Sequence, residues 1–151
     1  MKKISFTLFL FHILISCGHK LNSKVENAVN ILSAENLIYF DSFMAKKNES
    51  YINLLKVSTV EDLIYLTDNE NAYVRFYAYL GLTEKNYPKL KDIYFKHKND
   101  TDNVNTTNGA CINGSMSINK LMLYQLNPND PENKHSFTEN EYDKEYSDIT
   151  N

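Results

Sequence analysis

The chain has 151 residues, a net charge of −3 and 42% hydrophobic residues, which is enough for one domain with a modest core. Glycine and proline are scarce, with 4 and 3 residues, and this composition disfavours a turn-rich all-β fold and suits helices. The sequence has no cluster of lysine and arginine that could neutralise phosphate groups, so binding to nucleic acid is disfavoured.

The first 16 residues have the pattern of a secretory signal peptide. Lys2 and Lys3 form a basic start, and an apolar run extends from Ile4 to Ile15. This run is shorter than the about 20 residues that a membrane-spanning helix needs. The alternative is a buried first helix of the folded domain, but such a helix normally has a polar face and this run has almost none.

A lipidation pattern follows the apolar run. Leu14-Ile15-Ser16-Cys17 resembles the bacterial lipobox, in which an aliphatic and then a small residue precede the cysteine that receives the lipid. The resemblance implies cleavage before Cys17 and attachment of diacylglycerol to its sulfur. Gly18, in place of the aspartate that signals retention at the inner membrane, implies an outer-membrane lipoprotein that faces the periplasm. We therefore expect a signal peptide at 1–16 and a lipidated tether at 17–24.

The first part of the mature chain is predicted to be helical. Apolar residues recur at steps of three and four from Val25 to Met44, which is the pattern of one amphipathic helix face. Ser23 is the predicted N-cap, with Glu26 as its capping-box partner. A shorter helical segment is predicted from Tyr51 to Val57.

Residues 58–98 have the pattern of three helices separated by polar residues. Thr59 and Asn71 are the predicted N-caps of the first two helices. Pro88 suits the first turn of the third helix.

This stretch resembles a HEAT-type repeat, in which two antiparallel helices pack around a short polar loop. The resemblance lies in Leu63, Ile64, Leu66, Asp68, Val74-Arg75, Ala78 and Gly81-Leu82. It implies that Ala78 and Gly81 let the two helices approach closely, and that Arg75 forms a structural ion pair with an acid such as Asp68. A 30-residue shift gives only one further, degraded copy. We expect an all-α fold of about five helices in residues 25–127, arranged as a small right-handed α-α superhelix.

The second of these helices is crowded with aromatic residues. Tyr73 and Tyr77 share one face, and Phe76 and Tyr79 share another. One set could belong to the core while the other forms an exposed surface for a peptide or glycan, or all could be core or half-buried. The candidate interaction surface is Tyr73, Arg75, Phe76 and Tyr79.

Residues 101–117 are rich in Asn, Thr and Gly and are predicted to form a long loop. This loop contains Cys111, which has no disulfide partner within the chain once Cys17 is acylated. Cys111 is either a small buried residue or a reactive thiol.

A last packing helix is predicted from Ile118 to Leu126, with Ser117 as its cap. The tail, 128–151, holds seven acidic and two basic residues and so carries a net charge of −5. The mature chain, with 14 basic and 19 acidic residues, also carries −5, so the rest of it is roughly neutral. It is predicted to be mostly disordered, with a short helix after Thr138, where Glu141 completes a capping box.

The spacing of His, Cys and acidic residues matches no metal-binding or catalytic motif, and no glycine-rich phosphate loop is present. We therefore expect a protein without cofactor or metal that acts as a membrane-attached, non-enzymatic interaction or scaffold module. The alternative is a small enzyme or enzyme accessory whose site lies in the 101–117 loop, with Cys111 as nucleophile.

Overall fold

The computed structural model describes residues 19–39, 48–107, 113–130 and 134–150. These ranges contain seven helices and a three-stranded sheet. The helices are α1 (Ser23–Ser33), α2 (Glu49–Val57), α3 (Val60–Leu66), α4 (Ala72–Glu84), α5 (Leu90–Lys96), α6 (Ile118–Tyr124) and α7 (Glu139–Thr150). The strands are β1 (Ile38–Tyr39), β2 (Asn103–Thr107) and β3 (Asn113–Ser117).

Helix α4 is the centre of the core. Nine consecutive residues from Val74 to Leu82 are buried, so this helix is covered on every side. It contacts α1, α2, α3, α5, α6 and β2. Close packing with α3 depends on Gly81, because a Cβ atom there would lie 3.1 Å from Leu63 Cδ1. The close approach predicted at Gly81 is therefore present in the structure.

Several helix ends are formed by the predicted capping residues. The Thr59 side chain accepts from the Asp62 N–H while Asp62 accepts from the Thr59 N–H, which completes a capping box on α3. Asn71 Oδ1 accepts two backbone N–H groups at the start of α4. Helix α1 begins one residue from the predicted position, since Asn22 is its N-cap rather than Ser23.

The prediction of one continuous helical stripe from Val25 is wrong within the described residues, and its last part, with Phe40, Phe43 and Met44, lies outside them. Helix α1 ends at Ser33, and Ile38 lies in a strand that pairs in parallel with Thr106 of β2. Ile38 is fully buried there. The apolar pattern therefore continues past the end of α1 to Leu37, directly before β1, where pairing with a distant strand determines the local conformation.

The prediction of an all-α fold is also wrong, because residues predicted as a long loop contain two paired strands. Strands β2 and β3 run antiparallel, with Val104 opposite Met116 and Thr106 opposite Gly114. Along β2, Val104 and Thr106 are buried while Asn105 is exposed, the period-two pattern of a half-buried strand. The pairing satisfies backbone groups that a loop would leave to water.

The tail is not mostly disordered. Helix α7 occupies Glu139–Thr150 and begins at the predicted capping box, where Glu141 accepts from the Thr138 N–H at 2.9 Å. It packs against α6, with Tyr142 and Ile149 against the core. The described residues thus hold seven helices rather than about five, in a mixed arrangement of helices and sheet.

Candidate functional site

Arg75 links two loop segments that are distant in sequence, one before α4 and one between α5 and β2. Its Nε and Nη2 donate to Asp100 at 2.8 and 3.1 Å, and Nη2 also donates to Asp102 at 2.6 Å. Its Nη1 donates to the carbonyl groups of Asn69 and Glu70. Burial acts to lower the pKa of Arg75, but the two aspartates outweigh it and leave that pKa above its ordinary value. All the guanidinium nitrogens are thus engaged within the chain, and Arg75 is a structural residue rather than an anion-binding one.

The predicted Asp68–Arg75 ion pair does not form. Asp68 instead contacts Lys96, and its Oδ1 lies 3.2 Å from Nε2 of His97 without the alignment of a hydrogen bond. Burial lowers the pKa of His97 and so disfavours the charged imidazolium, although Asp68 acts in the opposite direction. The correct acids, Asp100 and Asp102, lie beyond α5, where sequence proximity gave no reason to look for them.

The predicted aromatic interaction surface lies mostly inside the protein. Phe76 and Tyr79 have no exposed area, Arg75 is 8% exposed, and Tyr73 is half-buried. The Tyr79 hydroxyl donates to the Leu90 carbonyl, and the Tyr73 hydroxyl donates to the Asn36 carbonyl at 2.9 Å. These aromatic side chains hold α4 to its neighbours, so the core interpretation is correct and the surface interpretation is wrong for Phe76 and Tyr79.

An ion-pair network centred on the buried Glu145 holds α7 on the body. Glu145 is 6% exposed and lies 2.7 Å from Nζ of Lys98. It also accepts a hydrogen bond from the hydroxyl of Tyr94. Lys98 contacts Asp148 one turn further on, and these two carboxylates raise the pKa of Lys98. The inward side of α7 is therefore fixed by charge-assisted contacts.

A second face of α7, beside this network, carries tyrosines and carboxylates. Glu139, Tyr142, Asp143 and Tyr146 follow one another at steps of three and four, which places them on one helix face. The rings of Tyr142 and Tyr146 stack with centroids 6.4 Å apart. Tyr146 is 54% exposed, and the nearby Tyr124 at the end of α6 is 43% exposed. We call these five residues the tyrosine face.

The electrostatics of the tyrosine face differ from those of the rest of α7. Burial, Tyr124, Tyr146 and Asp143 together raise the pKa of Tyr142, so these groups are close enough to interact. Within the described part of the chain, no ion pair involves Glu139 or Asp143. This face combines exposed aromatic rings with carboxylates that are open to an external cation.

This face was not predicted from the sequence, because the acidic composition of the tail indicates disorder. The signal was present in the spacing of Glu139, Tyr142, Asp143 and Tyr146, which has helical periodicity directly after the predicted capping box.

Other features of the described residues are less specific. An open depression of about 370 Å³ is lined by Lys89, Lys91, Lys134 and His135, but Lys91 is already paired with Glu141. No group of three or more potential metal ligands occurs among the described residues. Among those residues, no helix has the length and apolar character needed to cross a membrane.

Both cysteines lie outside the described residues, and so does the whole predicted signal peptide. In the sequence, Cys111 falls between β2 and β3. Both interpretations of Cys111, as a small buried residue and as a reactive thiol, therefore stay predictions.

Comparison of the chain with protein-family models, with curated proteins and with solved structures found no significant match.

Proposed function

We propose that this chain is a lipid-anchored protein of the bacterial cell envelope that acts as a non-enzymatic protein-interaction module. Its anchor is the lipid on Cys17, in the outer membrane and facing the periplasm, and its contact surface is the tyrosine face. The observation that carries the interaction role is the stacking of the exposed Tyr146 on Tyr142, which is half-buried against the core. Glu139 and Asp143 lie beside this pair and lack ion-pair partners in the described chain.

The chemistry of this face fits a partner segment that contains lysine or arginine. A cation placed over a tyrosine ring gains about 0.5–1 kcal/mol at an exposed site. The adjacent carboxylates add charge complementarity, which favours encounter and orientation. Tyrosine offers a large contact area at a low cost in side-chain entropy, which makes it a frequent contributor to binding.

The position of the face on a docked helix supports the same role. Glu145 and Lys98 fix the inward side of α7, so the outward side is presented with a constant geometry. A contact surface held in this way loses little conformational freedom when a partner binds.

Titration with synthetic peptides tests the interaction role. We expect a peptide that alternates arginine with alanine to shift the amide resonances of α7 and of the end of α6 in nuclear magnetic resonance spectra. Glu139→Gln with Asp143→Asn should weaken this binding at least fivefold. Tyr146→Ala should weaken it as well, because the cation loses its aromatic platform.

The matched control is the double variant Glu61→Gln with Glu70→Gln, which removes the same charge from exposed positions on other elements. Binding that weakens equally in both double variants reflects overall charge and contradicts a specific site on α7. Unchanged binding in Tyr146→Ala also contradicts it.

Cell fractionation tests the anchor separately. Cys17→Ser should move the protein from the membrane fraction to the soluble fraction. Continued membrane association of this variant would contradict the lipid anchor and favour an uncleaved N-terminal helix.

A further inference from the structure

His19, two residues after the predicted lipidation site, is docked on the helical body. Its Nε2 lies 2.7 Å from Oδ1 of Asp62 in α3. Its ring packs against Tyr65, with centroids 5.1 Å apart. The segment between Cys17 and the domain was expected to be a tether, but its described part is in contact with the body.

The partner of His19 is held in a fixed position. Oδ2 of Asp62 accepts hydrogen bonds from the backbone N–H and the hydroxyl of Thr59 at 2.9 and 3.0 Å, which leaves Oδ1 for the imidazole. The Asp62 side chain is only 7% exposed. The His19 contact therefore belongs to the capping structure of α3 and is not a chance surface contact.

The chain stays on the body after His19. Leu21 packs against the core, and Asn22 caps α1, which begins at Ser23. Only Gly18 separates His19 from Cys17. A lipid on Cys17 would therefore be attached to the chain only two residues before the docked His19.

We propose that the contact between His19 and Asp62 orients the whole body on the membrane. In this orientation, one end of the body lies directly on the lipid surface. This end is formed by the start of α1, the end of α2 and the start of α3. This inference rests on the proposed lipidation of Cys17. The partner that this end contacts is a bilayer with anionic headgroups.

The side chains at this end suit such a surface. Lys20, Lys24 and Lys56 are exposed, and Lys24 and Lys56 line the same open depression. A lysine close to an anionic lipid surface gains about 1 kcal/mol. Ile52 lies one helical turn before Lys56 and is 43% exposed, and Tyr65 beside His19 is 46% exposed. Apolar and tyrosine side chains between lysines are typical of the membrane interface.

Amine labelling of the full lipidated protein tests the orientation. The protein is reconstituted into vesicles of phosphatidylglycerol and phosphatidylcholine and treated with a water-soluble, amine-reactive reagent, and each lysine is quantified by mass spectrometry. We expect Lys20, Lys24 and Lys56 to react at least threefold more slowly in vesicles than after the vesicles are dissolved in a non-ionic detergent.

Lys96 and Lys120 are the internal controls. Lys96 contacts Asp68, beyond the far end of α3, and the neighbour of Lys120, Asn119, donates to the Lys98 carbonyl. These two lysines should react equally in both conditions. Equal protection of all five lysines, or of none, would overturn the proposed orientation.

The variant His19→Ala separates the orientation from the anchor. It should stay in the membrane fraction but lose the selective protection of the three lysines. Selective protection that persists in His19→Ala would contradict the role of His19. Release of the wild-type protein from membranes would instead contradict the proposed anchor.

Discussion

At the scale of single residues, the two best-connected charged side chains bind the chain to itself. Arg75 joins the α3–α4 turn to the start of β2 through Asp100 and Asp102. Asp62 joins the cap of α3 to His19. Both side chains connect distant parts of the chain, so their replacement should lower the free energy of unfolding.

The two aspartates that pair with Arg75 should contribute unequally to the free energy of unfolding. The Asp100 side chain is 13% exposed and makes two contacts with the guanidinium, whereas that of Asp102 is 68% exposed. Asp100→Asn should lower the free energy of unfolding by about 2 kcal/mol, since hydrogen bonds between charged groups are worth about 1.5–3 kcal/mol. Asp102→Asn should cost less than about 1 kcal/mol. Urea denaturation at pH 7 measures both, and equal losses would contradict the proposed division.

Asp62 should make stability depend on pH in acid. Burial acts to raise its pKa, but hydrogen bonds from Thr59 and His19 leave the pKa below its ordinary value of 3.8. Because the folded pKa is depressed, the stabilisation is complete above pH 4 to 5 and is lost as the pH falls through the folded value. Asp62→Asn should therefore be more destabilising at pH 7 than at pH 3 in urea denaturation. Asp92→Asn, at an exposed position, is the control, and a similar pH dependence in both variants would contradict this role.

At the scale of elements, the sequence predicted those structures whose signals are local. The caps at Thr59, Asn71 and Thr138 depend on residues three or four positions apart, and all three form. Strands β1 and β2 depend on partners about 68 residues apart, such as Ile38 and Thr106, and the sequence analysis missed them. Short polar strands such as β2 resemble loops in composition, and only their pairing makes them strands.

The candidate site was missed for a related reason. The acidic composition of the tail indicated disorder. The desolvation cost of burying Glu145 is offset, however, by its contacts with Tyr94 in α5 and with Lys98 just after α5. That compensation depends on tertiary contacts, so composition alone could not reveal it.

The docking of α7 should depend on Lys98 rather than on lysine in general. Lys98→Met leaves Glu145 buried with only the Tyr94 hydroxyl as partner, so it should lower the free energy of unfolding by about 2–3 kcal/mol. Lys144→Met, on the exposed side of α7, should change it by less than about 0.5 kcal/mol. Urea denaturation and hydrogen exchange of α7 measure the two effects. Unchanged exchange of α7 in Lys98→Met would show that apolar contacts alone hold the helix.

At the scale of the whole molecule, the proposed roles divide the surface between two partners. The end near His19 carries lysines and would face the lipid, while the tyrosine face on α7 carries unpaired carboxylates and would face a cationic protein segment. The core between them is organised by α4, which contacts elements on all sides. In this proposal, the lipid would hold the body at the membrane and the tyrosine face would bind the partner.

Site-specific photo-crosslinking in native membranes is the sharpest test of the tyrosine face as a contact surface. A photoreactive residue at Tyr146 should capture one reproducible protein through a lysine- or arginine-rich peptide, and capture should fall when Glu139 and Asp143 are neutralised. The same residue at Ile31, which is 47% exposed on α1, should not capture it. Equal capture from both positions, or capture that is insensitive to the two acids, would contradict the tyrosine face as the contact surface.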